Sequence, residues 1–190
     1  MPDLTSRLEA IVRSSPRLMQ VLETTRRIDL PDWMIFSGAI YQPVWNHLTG
    51  RPPDHGVKDY DLGYFDPDTS YEAEDSIIRR VADAFEPPLS EMVEVRNQAR
   101  VHLWFESRFG EPYRPLQGTA EALSRFTSPA FAVGVRLETD DRLTIAAPFG
   151  LDDLFAMRIR PNPRRASSSF GRIADSASRR WPEVWVDPPA

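Results

Sequence analysis

Lys58-Asp59-Tyr60-Asp61-Leu62-Gly63-Tyr64-Phe65 places two carboxylates one residue apart in a run otherwise built like a strand. Side chains alternate faces in an extended chain, so Asp59 and Asp61 are expected on one side, with Tyr60 and Leu62 on the other. Two anions held that close call for a cation. For an all-oxygen donor set the usual ion is Mg²⁺, with a substrate phosphate filling the positions the carboxylates leave. The stretch therefore reads as phosphoryl-transfer chemistry.

Upstream of it, Trp33-Met34-Ile35-Phe36 reads as a short buried strand ending at Ser37-Gly38-Ala39, after which Ile40, Val44, Trp45 and Leu48 fall at helical spacing. Pro43 is tolerable there because it lies near that helix's first turn. Residues 49–57, with Gly50, Pro52, Pro53 and Gly56, form a loop leading to the second strand over 58–65. Downstream, Thr69 with Glu72 resembles a capping box for a helix carrying Ala73, Ile77, Ile78, Val81 and Phe85. Met92-Val93-Glu94-Val95 is a third strand, and residues 99–109 form a helix stopped by Gly110.

Toward the ends, residues 4–14 and a segment from Pro16 to about Leu30 read as two amphipathic helices. Residues 119–126 form a short helix, 130–138 and 142–147 a hairpin around Thr139-Asp140-Asp141, 154–160 a further strand and 170–181 a last helix. This order predicts one α/β unit (α+β in some schemes), a mixed β-sheet flanked by helices, over residues 1–190. Within it lie a helical pair over 1–30, a core over 31–165 and a C-terminal helix and tail over 166–190.

A length of 190 residues suits one well-buried core, and 41% apolar with 27% charged content makes disorder unexpected. The absence of cysteine excludes a disulfide framework, a thiol nucleophile and a cysteine-ligated metal. No apolar run approaches a membrane span, and Met1-Pro2-Asp3-Leu4 carries no basic flank before an apolar stretch, so a cytoplasmic protein with no membrane partner is expected. A net charge of −5 disfavours a nucleic-acid partner held by phosphate neutralisation, although residues 151–190 carry more arginines than acids and read as a basic, solvated surface. Of the 23 lysines and arginines only Lys58 is a lysine, which suits a compact point charge beside Asp59.

The strand into Ser37-Gly38-Ala39, the Asp-x-Asp strand and a later strand bearing Glu94 resemble the nucleotidyltransferase superfold, the DNA polymerase β-like fold. Longer stretches are similar to a bacterial family of uncharacterised nucleotidyltransferase-like proteins: 37–46, 48–53 and 56–61, then 96–104, 147–154 and Arg160-Pro161-Asn162. The likeness spans roughly residues 30–185. It implies transfer of a nucleoside monophosphate from a nucleoside triphosphate (NTP) to an acceptor of unspecified identity, with two Mg²⁺ ions. Asp59 and Asp61 would bridge both ions, Glu94 would complete the one that activates the acceptor, and Ser37 and Gly38 would offer N–H groups to the triphosphate.

Ala39 stands where the superfold commonly has serine or glycine, and Glu91 competes with Glu94 for the third acidic role. Lys58, Arg96 and Arg100 are candidate phosphate contacts, the two arginines sharing a face if a helix starts early enough. Each has an ordinary reading as a surface cation. His47, His55 and His102 are too few for a zinc site, and Trp45, Trp104, Trp181 and Trp185 read as packing residues. Asp152 and Asp153 read as a helix start. The alternatives are a catalytically inactive nucleotide-binding or regulatory protein with the same fold, and a phosphohydrolase using water as acceptor.

Overall fold

The computed structural model describes residues 3–188. The outermost ends of the unit expected over 1–190, including Met1-Pro2, lie outside them. Two helices open the chain, α1 (Leu4–Arg13), capped by the Asp3 carboxylate, and α2 (Pro16–Ile28), which has proline in its first turn. Then follow β1 (Met34–Phe36), α3 (Gly38–Leu48), β2 (Tyr60–Tyr64), α4 (Tyr71–Asp83), α5 (Leu89–Met92), β3 (Val93–Asn97) and α6 (Val101–Phe109). The remainder is α7 (Thr119–Leu123), β4 (Gly134–Leu137), β5 (Leu143–Ala146), α8 (Asp152–Phe155), β6 (Arg158–Ile159), α9 (Phe170–Arg180) and β7 (Trp185–Val186).

Five strands form a mixed sheet in the order β3-β2-β1-β4-β5, parallel only between β2 and β3. Alternation gives its two faces opposite characters. Ile35 lies opposite Leu62 and Val135, and Leu62 beside Val95, all of them buried on the helix-covered side. One cluster of buried side chains runs from Leu8 through these strands to Trp181, so the N-terminal pair, the sheet and the C-terminal helix share a core. The other face carries Phe36, Asp61, Gly63, Glu94 and Arg96, with a smaller apolar group of Met34, Phe36, Leu123 and Ala132. Gly63 is required there, because a Cβ would stand 2.1 Å from the Phe36 ring carbon Cζ.

Three expectations about the elements change. The helix after β2 is capped by the Ser70 hydroxyl, which accepts from the Ala73 N–H, rather than by Thr69. Leu154 belongs to a short helix instead of a strand, since Gly150 turns the chain at positive φ and Asp152 and Asp153 fill the first turn of α8. Only Arg158–Ile159 pairs from the predicted 154–160 segment, and its partner is β7, a strand too short and too distant to be read from local pattern.

Candidate active site

Asp61 and Glu94 are direct register partners across the parallel β2–β3 pair, so both carboxylates project from the same face of the sheet. Glu91 lies in α5 instead, which makes Glu94 the acid on the strand. Asp59 sits one residue before β2 rather than inside it, so strand alternation does not place it. The loop preceding it does. Buried Asn46 donates to the Pro53 and His55 carbonyls, each at 2.9 Å, and accepts the Trp181 indole N–H, also at 2.9 Å. Trp181 packs edge-on against Trp45 with ring centroids 5.5 Å apart, and a Cβ on Gly56 would press on its ring at 3.2 Å. The 49–57 loop is thereby tied to the core, and it returns Asp59 to the N-terminus of α3, with Oδ1 4.0 Å from where a Gly38 Cβ would lie.

No hydrogen bond or ion pair from another described side chain reaches the carboxylates of Asp59, Asp61 or Glu94. Asp61 is open to solvent on one side and crowded by protein on the others. That crowding, with the charges of Asp59 and Glu94 behind it and Arg96 opposing, pushes its carboxyl up to about 6. Among the described residues no three His, Asp or Glu side chains stand close enough to form a ready-made metal cluster. The donor set nonetheless fits a hard divalent cation: all oxygen, no ion pair to Arg96 or Lys58 although both are near, and like charges that such an ion would relieve.

The turn into α3 differs in detail from its sequence reading. Ser37, not Gly38, occupies the left-hand region at φ 53° and ψ −116°, a conformation costing a non-glycine residue about 1–3 kcal/mol. Gly38 is needed for space, since a Cβ there would meet the Gln42 amide nitrogen at 2.8 Å. The Ser37 hydroxyl caps nothing, and the Gly38 and Ala39 N–H groups have no acceptor among the described residues. Gln42 is buried with its side-chain oxygen unpaired, and its amide leans toward the Tyr41 hydroxyl at 3.4 Å. The sequence reading missed Gln42, although its place four residues after Gly38 in the same helix was a usable signal.

Arg96 stays on the acidic face, opposite Gly63, and bonds only the Val95 carbonyl at 2.7 Å. Lys58 is exposed and makes no ion pair among the described residues, next in sequence to Asp59. Arg100 is not brought to the site, because the residues before α6 form a 3-10 turn and the shared helical face with Arg96 never forms. Its guanidinium is spent on the Ser70 carbonyl at 2.7 Å and the Glu74 carboxylate at 3.3 Å. Glu74 also accepts the Asn97 N–H, and buried Asn97 bonds the 66–68 backbone, so this group is structural. The sheet face opens into a cleft of about 450 Å³, lined by Ser37, Asp61, Glu94 and Arg96 at one end and by α6 at the other. That volume is in the range of small-molecule sites.

The mixed five-stranded sheet flanked by helices is similar to a nucleotidyltransferase head domain. A solved NMR structure described as revealing a CCA-adding enzyme head domain aligns with a TM-score of 0.76 at 24% identity, covering 97% of this chain and 96% of that one. A search of curated proteins gives no match. The sequence matches the model of the nucleotidyltransferase family over residues 23–186, and the chain belongs to that family. No helix among the described residues is long and apolar enough to cross a membrane.

Proposed function

We propose that this protein is a Mg²⁺-dependent nucleotidyltransferase that moves a nucleoside monophosphate from an NTP to a hydroxyl-bearing acceptor. The observation that carries the reading is the pairing of Asp61 with Glu94, with Asp59 beside them and none of the three neutralised by the protein. Asp59, Asp61 and Glu94 are the residues that would hold two Mg²⁺ ions. Bound there, the ions would offset the triphosphate's charge and lower the pKa of the acceptor hydroxyl.

The chain's own groups do the positioning. The Gly38 and Ala39 N–H groups at the start of α3 offer donors and a positive dipole end to phosphate oxygens, and the uncapped Ser37 hydroxyl adds one more. Asn46 and Trp181 hold the loop that fixes Asp59. Arg96, which lines the cleft, and Lys58, next in sequence to Asp59, would supply positive charge toward the departing pyrophosphate. In the transfer, the acceptor oxygen bonds to the α-phosphorus and the α–β bridging bond breaks. Pyrophosphate leaves and the hydroxyl proton passes to solvent.

A second reading, a nucleotide-binding or regulatory protein without transfer, is favoured by Ala39 at the turn and by the open spacing of the three acids. Thermal shift with each NTP, with and without Mg²⁺, followed by product analysis on α-labelled NTP, separates the possibilities. Label on a third molecule supports transfer, label released as free monophosphate indicates a phosphohydrolase, and a Mg²⁺-dependent shift with no turnover indicates the binding protein. No shift under any combination counts against all three.

A further inference from the structure

The cleft changes character along its length. Beyond Asp61 and Glu94 its wall is built from rings: Trp104, Phe105 and Phe109 on α6, and Tyr113 on the loop that follows. Phe105 and Tyr113 are fully engaged. Their centroids stand 4.5 Å apart, Phe105 also meets Phe109 at 4.7 Å and the Arg165 guanidinium at 4.9 Å, and Tyr113 meets Arg125 at 5.0 Å. Arg165 is in turn held by Glu111, and Arg125 by Glu121 at 3.3 Å, so this part of the wall is fixed.

Trp104 is different. Its nearest ring neighbour is 6.1 Å away and Arg108 stands 5.9 Å from its centroid. Trp45, Trp181 and Trp185 each donate their indole N–H within the protein, whereas Trp33 and Trp104 have no acceptor among the described residues, and of these two only Trp104 lines the cleft, Trp33 being buried in the core. Arg172 of α9 lines the same cleft with no ion pair among the described residues, and Phe36, Phe126 and Ile173 supply apolar surface. A half-open indole and a free guanidinium, in one small cleft with the candidate divalent-cation site, suit a flat, aromatic ligand whose anionic part would reach the cation.

We infer that Trp104 is the stacking platform for the nucleobase of the donor NTP, with Arg172 as a second planar contact, while the triphosphate lies toward Ser37 and Gly38. This rests on the nucleotidyltransferase reading above. Because every base presents a π-face, the site selects for a base without strongly discriminating among bases.

The test compares Mg²⁺-dependent binding of ATP, CTP and inorganic tripolyphosphate, with no acceptor present, to the wild-type chain and to Trp104→Leu, Trp104→Phe and Asp61→Asn, all confirmed folded by circular dichroism. Trp104→Leu is expected to weaken both nucleotides roughly tenfold and leave tripolyphosphate within about twofold, with Trp104→Phe retaining most of the affinity. Nucleotide affinity unchanged in Trp104→Leu, tripolyphosphate weakened equally, or wild-type affinities equal for NTP and tripolyphosphate would each overturn the stacking assignment alone. So would a free nucleoside that binds through Trp104 to the nucleotide-loaded protein, which would place an acceptor there instead. If the wild-type chain binds neither NTP nor tripolyphosphate, the underlying functional reading fails with it.

Discussion

The two faces of the central sheet are made from the same strands, one residue out of phase, and they spend their side chains in opposite ways. On the helix side Ile35, Leu62, Val95 and Val135 are packed to near-zero exposure within the core that runs from Leu8 to Trp181. On the cleft side Asp61 and Glu94 face each other unpaired, Gly63 gives up its side chain to the Phe36 ring, and Ser37 holds a backbone conformation that serine resists. The first face lowers the free energy of folding. Beside the Met34–Phe36 cluster, the acidic part of the second opposes it, and repulsion that folding alone would remove is kept where a ligand could relieve it.

The comparison can be broken first at its most charged point. Asp61→Asn leaves the strand and its packing intact, and is expected to cut nucleotidyl transfer by roughly 10³-fold, the equivalent of several kcal/mol of lost charge stabilisation. A steady-state assay with labelled NTP reads it. On the opposite face, Leu62→Ala is expected to cost about 2–5 kcal/mol and lower Tm by roughly 6–15 °C in a calorimetric scan, leaving Mg²⁺–NTP affinity per folded molecule unchanged.

Asn46 joins the two regions, since it lies in the core yet fixes the loop before Asp59. Asn46→Ala is expected to cost about 1–3 kcal/mol through the orphaned carbonyls and Trp181 N–H. It should also expose residues 50–57 to limited proteolysis and weaken Mg²⁺ binding, a combination that Leu62→Ala should not show.

The smallest effect has the most informative sign. Folding lifts the Asp61 carboxyl from its ordinary 3.8 to about 6, so the folded chain holds a proton that the unfolded chain releases. The stability this group contributes is full below about pH 4 and lost as pH rises through about 6. Asp61→Asn should therefore raise Tm at pH 7.5 by up to about 2 °C, a gain kept under about 1 kcal/mol by the solvent reaching the carboxylate, and should leave Tm unchanged at pH 4. Divalent-cation affinity of the wild-type chain should fall below about pH 6, as the proton competes for the same oxygens.

Both faces of β2 were legible from alternation, because Tyr60, Leu62 and Tyr64 repeat at the strand period and leave Asp61 on the other side, while the order of strands in the sheet was not. The shared face of Asp61 and Glu94 follows from the same alternation, whereas Asp59, expected inside that strand, lies before it and is placed by the loop. Arg100 was misread because its spacing from Arg96 matters only on a helix, and the chain enters α6 through a tighter turn that hands the guanidinium to Glu74. The β6–β7 pair and the Trp181 anchor of the 49–57 loop on Asn46 depend on residues more than twenty positions apart, and no local pattern carries that information. Trp104 looked like any packing tryptophan until the neighbouring rings proved to be occupied with one another.

Electron paramagnetic resonance of Mn²⁺ as a substitute ion, titrated into the wild-type chain and Asp61→Asn with a non-hydrolysable NTP present, tests whether Asp59, Asp61 and Glu94 act together as a cation site. The account predicts nucleotide-dependent Mn²⁺ binding in the wild-type chain that is lost in Asp61→Asn while the fold is retained. Equal Mn²⁺ binding by the two proteins, or none by either, would contradict it.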